Sequence, residues 1–241
     1  MYTVKPSEIT TRIEDQIILI YGPSGIGKST LASKFPSPLF IATERGLNHL
    51  SVNAIPCYDW NTVVKIIDFL EKKEIEIIDN EKAVQPKTII IDTIDNLNIY
   101  CTSYVCQQKS FEHPADPPGG KGWSMITTEM AKQISRLARL DTSLLFISHS
   151  RIGAYKDTKK EYNYHTLSIT GEGTRRLFLD MCDLILFLDF AVVNGQEQRI
   201  IRTKPGRGFE AKDRTTKLPN MIPLDYNELI KYLGGNNANK G

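Results

Sequence analysis

Between an apolar, β-branched run at residues 16–21 and a helix-forming stretch at 28–35, closed by Pro36, lies Gly22-Pro23-Ser24-Gly25-Ile26-Gly27-Lys28-Ser29. This octapeptide fits the pattern G-x-x-x-x-G-K-[ST] at every defined position. Its placement between a strand and a helix distinguishes a phosphate-binding loop from a chance glycine turn. The residue types follow from the task. Glycines let backbone N–H groups converge on phosphate oxygens, a lysine at the helix start reaches the β- and γ-phosphates, and the next hydroxyl suits Mg²⁺. Gly22 through Ser29, together with Thr30, are therefore the candidate nucleotide contacts, with Lys28 also catalytic and Ser29 a metal ligand.

A phosphate-binding loop needs a carboxylate at the end of another strand to hold the metal. The run Thr88-Ile89-Ile90-Ile91 ends in Asp92, which is the candidate. Asp95 reads instead as a cap or solvent-facing residue at the start of the next helix. Strands are predicted at 39–42, 88–91, 144–148, 183–190 and 199–203, and helices at 62–72, 94–108, 124–140, 174–181 and 225–233. Residues 110–122, rich in Pro and Gly, read as loop. Asn194-Gly195 is the turn of a C-terminal hairpin. Continuous apolar strands alternating with helices imply an α/β protein with a mainly parallel sheet, helices on both faces and antiparallel strands at the end. Residues 1–15 form an N-terminal segment, 16–233 the core and 234–241 a tail expected to be disordered.

Composition narrows the class. Among 241 residues, 41% are apolar and 24% charged, which excludes a disordered chain. No apolar run is long enough to span a bilayer and residues 1–8 hold no apolar signal region, so a cytoplasmic location with no membrane partner is expected. The four cysteines read as reduced, buried thiols. Cys101 and Cys106 with His113 lack a fourth ligand for zinc. Lys plus Arg exceed Asp plus Glu by only 30 to 28, so any nucleic-acid partner must be recognised by a local patch.

The hydrolytic glutamate of AAA+ machines usually follows the metal-binding aspartate, but here Thr93 does, which points away from an AAA+ motor. The run Leu39-Phe40-Ile41-Ala42-Thr43-Glu44 instead resembles the strand that carries the base in RecA-type proteins. Ile89-Ile90-Ile91-Asp92-Thr93 is similar to their Walker B strand, and Leu145-Phe146-Ile147-Ser148-His149 to the strand that senses the γ-phosphate. From about residue 16 to 218 the chain resembles the small phage nucleotide-binding proteins with a RecA-like P-loop NTPase core, thought to be recombinases of the single-strand annealing type. The resemblance implies an ATPase using ATP and Mg²⁺, with Glu44 as general base and His149 as sensor. It also implies a homo-oligomer, ring or filament, in which a cation on the terminal hairpin reaches a neighbour's γ-phosphate; Lys204 and Arg207, around Pro205-Gly206, are the candidates. If the chain is phage-encoded, its cytoplasm is that of a bacterial host.

Two stretches speak to nucleic acid. Residues 199–217 carry a local excess of five positive charges, which also fits a solvated sheet edge. Residues 151–173 correspond by resemblance to the DNA-binding loop after the sensor strand, although RecA's is glycine-rich and this one is rich in Lys and Tyr. Its pattern of alternating polar and aromatic residues suggests a solvated hairpin or mobile loop. Arg151, Lys156, Lys159, Lys160, Tyr162 and Tyr164 combine cations for phosphates with rings for bases, as single-stranded DNA binders do. Trp123 either adds a stacking ring or begins a helix and packs inward. The expected function is therefore single-stranded DNA binding with annealing or strand exchange in phage recombination; a single-stranded DNA-binding protein is a further candidate partner. Two alternatives stay open: a nucleotide kinase with residues 199–217 as lid, and a nucleotide-gated adaptor for a replication or packaging partner.

Overall fold

The computed structural model describes residues 10–156 and 161–234. The first strand, β1 (Ile17–Gly22), runs into the glycine loop and α1 (Lys28–Ala32); β2 (Pro38–Ala42) and β3 (Asn53–Pro56) follow. Helix α2 (Trp60–Glu71) starts where Asp59 accepts a hydrogen bond from the Thr62 N–H at 2.9 Å, an N-cap that satisfies an otherwise orphaned donor. A small hairpin, β4 (Ile77–Asp79) and β5 (Lys82–Val84), precedes β6 (Thr88–Asp92), α3 (Ile94–Lys109) and α4 (Lys121–Leu137). Then come β7 (Ser143–Lys156), β8 (Glu161–Leu167), α5 (Glu172–Met181), β9 (Leu184–Val193), β10 (Gln196–Arg202), β11 (Lys212–Asp213), β12 (Met221–Pro223) and α6 (Tyr226–Tyr232).

The main sheet has the order β3-β2-β6-β7-β1-β9-β10-β12. Pairing is parallel from β3 through β9 and antiparallel between β9 and β10 and between β10 and β12. The expected α/β architecture with a C-terminal antiparallel hairpin is thus present. Alternate residues of each central strand enter two separate cores. On one face Leu19, Ile41, Ile91 and Phe146 pack with Trp60 and Ile67 of α2 and Phe178 of α5. On the other, Ile20, Phe40, Ile90 and Leu186 pack with Leu31 of α1 and Leu229 of α6. Burial on both faces is why these strands read as unbroken apolar runs. Each such side chain contributes about 1.5–3 kcal/mol over leaving it in water.

Register aligns the strand ends. Ala42 lies beside Asp92, Asp92 beside Ile147, and Gly22 beside His149. The carboxyl-terminal ends of β1, β2 and β6 therefore open, with the middle of β7, onto one crevice, the usual place for a ligand in a parallel sheet. Of the hairpin and the mobile loop expected after the sensor strand, the structure has the hairpin: β7 continues to a length of 14 residues and pairs antiparallel with β8. Strands β3 to β5 were not anticipated. Trp123 lies in the first turn of α4, half-buried, with its ring against Gly171. All four cysteines are buried and unpaired, as expected.

Candidate functional site

The loop folds as its glycines dictate. Gly27, the residue before α1, has φ 114°, a conformation that L side chains rarely adopt. Gly22 is required for a different reason: a Cβ there would lie 2.6 Å from the Leu188 carbonyl oxygen of β9. Ile26 is buried in the core and anchors the loop from below. The Lys28 ammonium, 6% exposed as a residue, donates to the carbonyls of Gly22 at 3.0 Å and Pro23 at 2.9 Å. Its nitrogen is 3.5 Å from His149 Nδ1. Burial lowers the Lys28 pKa, opposed by the nearby carboxylates Asp92, Asp95 and Glu44.

Ser29 Oγ donates to Asp92 Oδ2 at 2.7 Å, joining the helix start to the end of β6. Asp92 is 5% exposed, and burial raises its carboxyl pKa. A buried carboxylate beside a hydroxyl and a lysine is a hard-oxygen site whose charge a divalent cation would offset, so these residues fit Mg²⁺. Glu44 Oε1 lies 3.4 Å from His149 Nε2, and Asn96 Nδ2 donates to Glu44 Oε2 at 3.1 Å. The His149 contact holds Glu44 below its usual carboxylate range and raises the imidazole. Held ionised, Glu44 is better suited to orienting a water than to taking its proton early.

Asp95 departs from the sequence reading. It faces the sensor strand rather than solvent, accepting from Ser148 Oγ at 2.6 Å and from the His149 N–H at 2.7 Å. Burial raises its pKa to about 6. It fixes β7 at Ser148 and so positions His149. The crevice, about 340 Å³, is lined by Ser24, Lys28, Ser29, Thr30 and Asp92 with Glu44 and His149 opposite. Gly46, His49 and Leu50 complete the wall and were not anticipated.

The remaining candidates are elsewhere. Lys204 is paired at 2.7 Å with Asp213, whose side chain is fully buried, so it braces the turn at 213–218. Arg207 is exposed. Other cations of the patch are also tied internally: Arg202 to Asp189, Arg214 to Asp183, and Lys212 to the carbonyls of Leu179 and Asp180. Arg151 is exposed on β7, opposite Thr166, and Tyr164 of β8 faces Gly153. Lys159 and Lys160 lie outside the described residues, as do the side chains of Lys156 and Tyr162.

The fold and the loop with its facing carboxylate define a P-loop NTPase, a nucleotide-binding ATPase class. The chain belongs to the AAA_24 family, described as an AAA domain, which matches residues 14–215. It is similar to the SPbeta prophage-derived uncharacterized protein YorG of Bacillus subtilis (strain 168), at 27% identity over 209 residues, covering 84% of this chain and 59% of that protein. The chain therefore spans about three fifths of that relative's length. Among solved structures it is similar to the KaiC-like protein PH0186 from Pyrococcus horikoshii OT3, at 12% identity and TM-score 0.45, covering 83% of this chain and 82% of that one. Among the described residues, no helix is long and apolar enough to cross a membrane.

Proposed function

We propose that this protein is a Mg²⁺-dependent ATPase, phage-derived like its prophage relative, that binds single-stranded DNA and promotes annealing or strand exchange in recombination. ATP would occupy the crevice with its γ-phosphate toward Lys28 and His149. Mg²⁺ held by Ser29 and Asp92 would neutralise developing phosphate charge. Glu44 would orient the attacking water, and His149 would donate to a γ-phosphate oxygen.

The observation that carries the DNA reading is the continuity of β7. The same strand holds His149 in the crevice and Arg151 on the exposed hairpin two residues later. The base of the hairpin is also tied to the strand that carries the phosphate loop. Tyr21, directly before Gly22, places its hydroxyl 2.6 Å from the Glu210 carbonyl oxygen and 3.3 Å from that of His165. It accepts from the Glu210 N–H at 2.8 Å, while Thr166 Oγ1 donates to Glu210 Oε2 at 2.9 Å. A change at the phosphates thus has a short, hydrogen-bonded route to the hairpin.

The test is the anisotropy of a labelled oligonucleotide titrated with protein, with and without Mg-ATP, over a range of salt. Binding strengthened by Mg-ATP is expected. Arg151→Ala should flatten the slope of log affinity against log salt by about 0.7, the value for one contact to a single strand. Affinity unaffected by both nucleotide and Arg151 would overturn the DNA reading.

A further inference from the structure

The two flanks of the phosphate loop differ in chemistry. Toward β6 and β7 lie Asp92, His149 and, beyond them, Glu44, the groups suited to metal, γ-phosphate and water. On the other side of β1 lie β9 and β10. On that flank a Cβ built on Gly27 would sit 3.5 Å from Leu224 Cδ2 and 3.8 Å from Arg199 Nη1. The two residues are held together by the Leu224 N–H donating to the Arg199 carbonyl at 3.0 Å. Arg199 is exposed, and among the described residues its guanidinium has no acidic partner. This sets it apart from Arg202, Lys204 and Arg214 in the same basic stretch.

We propose that Arg199 and Leu224 form the nucleoside subsite, packing the guanidinium plane and the leucine methyls against the base of the bound nucleoside triphosphate. The inference rests on the reading of the loop as an ATP site. If the metal and the water-orienting carboxylate set the γ-phosphate end, the triphosphate runs along the loop and its nucleoside emerges on the opposite flank, past Gly27. A weakly hydrated planar cation beside an apolar side chain suits the face of a heteroaromatic ring better than it suits bulk water. The lack of a side chain on Gly27 leaves that approach open.

Inorganic triphosphate, which has the phosphates and no base, separates this proposal from a phosphate contact. The dissociation constants of Mg-ATP and of Mg-tripolyphosphate are measured for wild type, Arg199→Ala, Arg199→Lys and Lys28→Ala. Arg199→Ala should bind Mg-ATP about tenfold more weakly, with tripolyphosphate unchanged within about twofold. Lysine keeps the charge and loses the plane, so Arg199→Lys should behave like the alanine variant. Equal losses for both ligands, restored by lysine, would assign Arg199 to a phosphate and overturn the proposal. So would unchanged affinity for both. Wild type binding neither ligand better than Lys28→Ala is a separate pattern, one that removes the nucleotide reading and the subsite with it.

Discussion

Gly22→Ala isolates what the first glycine of the loop does. A methyl group there would lie 2.6 Å from the Leu188 carbonyl oxygen, 3.1 Å from its Cβ and 3.3 Å from its carbonyl carbon. All three atoms belong to β9, which pairs with β1 in parallel through Tyr21 and Phe187. Relief requires these two central strands to separate by roughly half an ångström or more, and overpacking of this kind costs about 1–3 kcal/mol. For a chain of this length that is a fall in Tm of about 2–12 °C. The control is Gly195→Ala in the β9–β10 turn, where φ is 79° and no atom lies within 4 Å of the added Cβ. That variant carries only backbone strain, about 1–2 kcal/mol. The discriminating readout is the stabilisation by Mg-ATP. The Gly22 carbonyl is an acceptor of the Lys28 ammonium, so Gly22→Ala should lose much of the ligand-induced rise in Tm and Gly195→Ala should keep it. A Gly22→Ala protein melting within about 1 °C of wild type with its nucleotide response intact would refute the reasoning.

Three further outcomes are expected. Asp92→Asn should weaken Mg²⁺ affinity of the nucleotide complex by about 10- to 100-fold, read from a metal titration, with metal-free nucleotide binding preserved. Glu44→Gln should slow ATP turnover by about 10²–10⁴-fold at unchanged nucleotide affinity; an unchanged rate would remove Glu44 from the mechanism. The Glu44–His149 contact should stabilise the fold in a limited pH window. The Glu44 carboxyl is lowered, so its share is present above its unfolded value and is lost as pH falls through the folded one; the His149 imidazole is raised, so its share is present below its unfolded value and is lost as pH rises through the folded one. The Tm difference between wild type and His149→Gln should therefore be greatest between about pH 4.5 and 6.5. A difference that stays flat from about pH 4 to 9 would contradict the pairing.

The parts of the site legible in the sequence are those whose signal is local. The loop carries its own conformational requirement in Gly25 and Gly27, at φ 75° and 114°, and Asp92 announces itself as the first polar residue after an apolar strand. Asp95 was misread because its partners, Ser148 and His149, are more than fifty residues away in sequence. Lys204 is a candidate through its place beside the terminal hairpin, and nothing in the sequence near it shows that it pairs with the buried Asp213. The closeness of Arg199 to Gly27 exists only because the sheet order places β9 and then β10 next to β1. The β4–β5 turn escaped notice because Asn80-Glu81, at φ 49° and 65°, takes positive φ without a glycine. β3, with Pro56 at its end and half its residues exposed, lacks the apolar run that marks the central strands.

The most direct test of the account is phosphate release from Mg-ATP, with and without single-stranded DNA, by wild type beside Lys28→Ala. The account predicts turnover that requires Lys28, rises with DNA and loses that stimulation as salt increases. Turnover equal in wild type and Lys28→Ala would contradict the assignment of the crevice. Lys28-dependent turnover indifferent to DNA would contradict the coupling of that crevice to the β7–β8 hairpin.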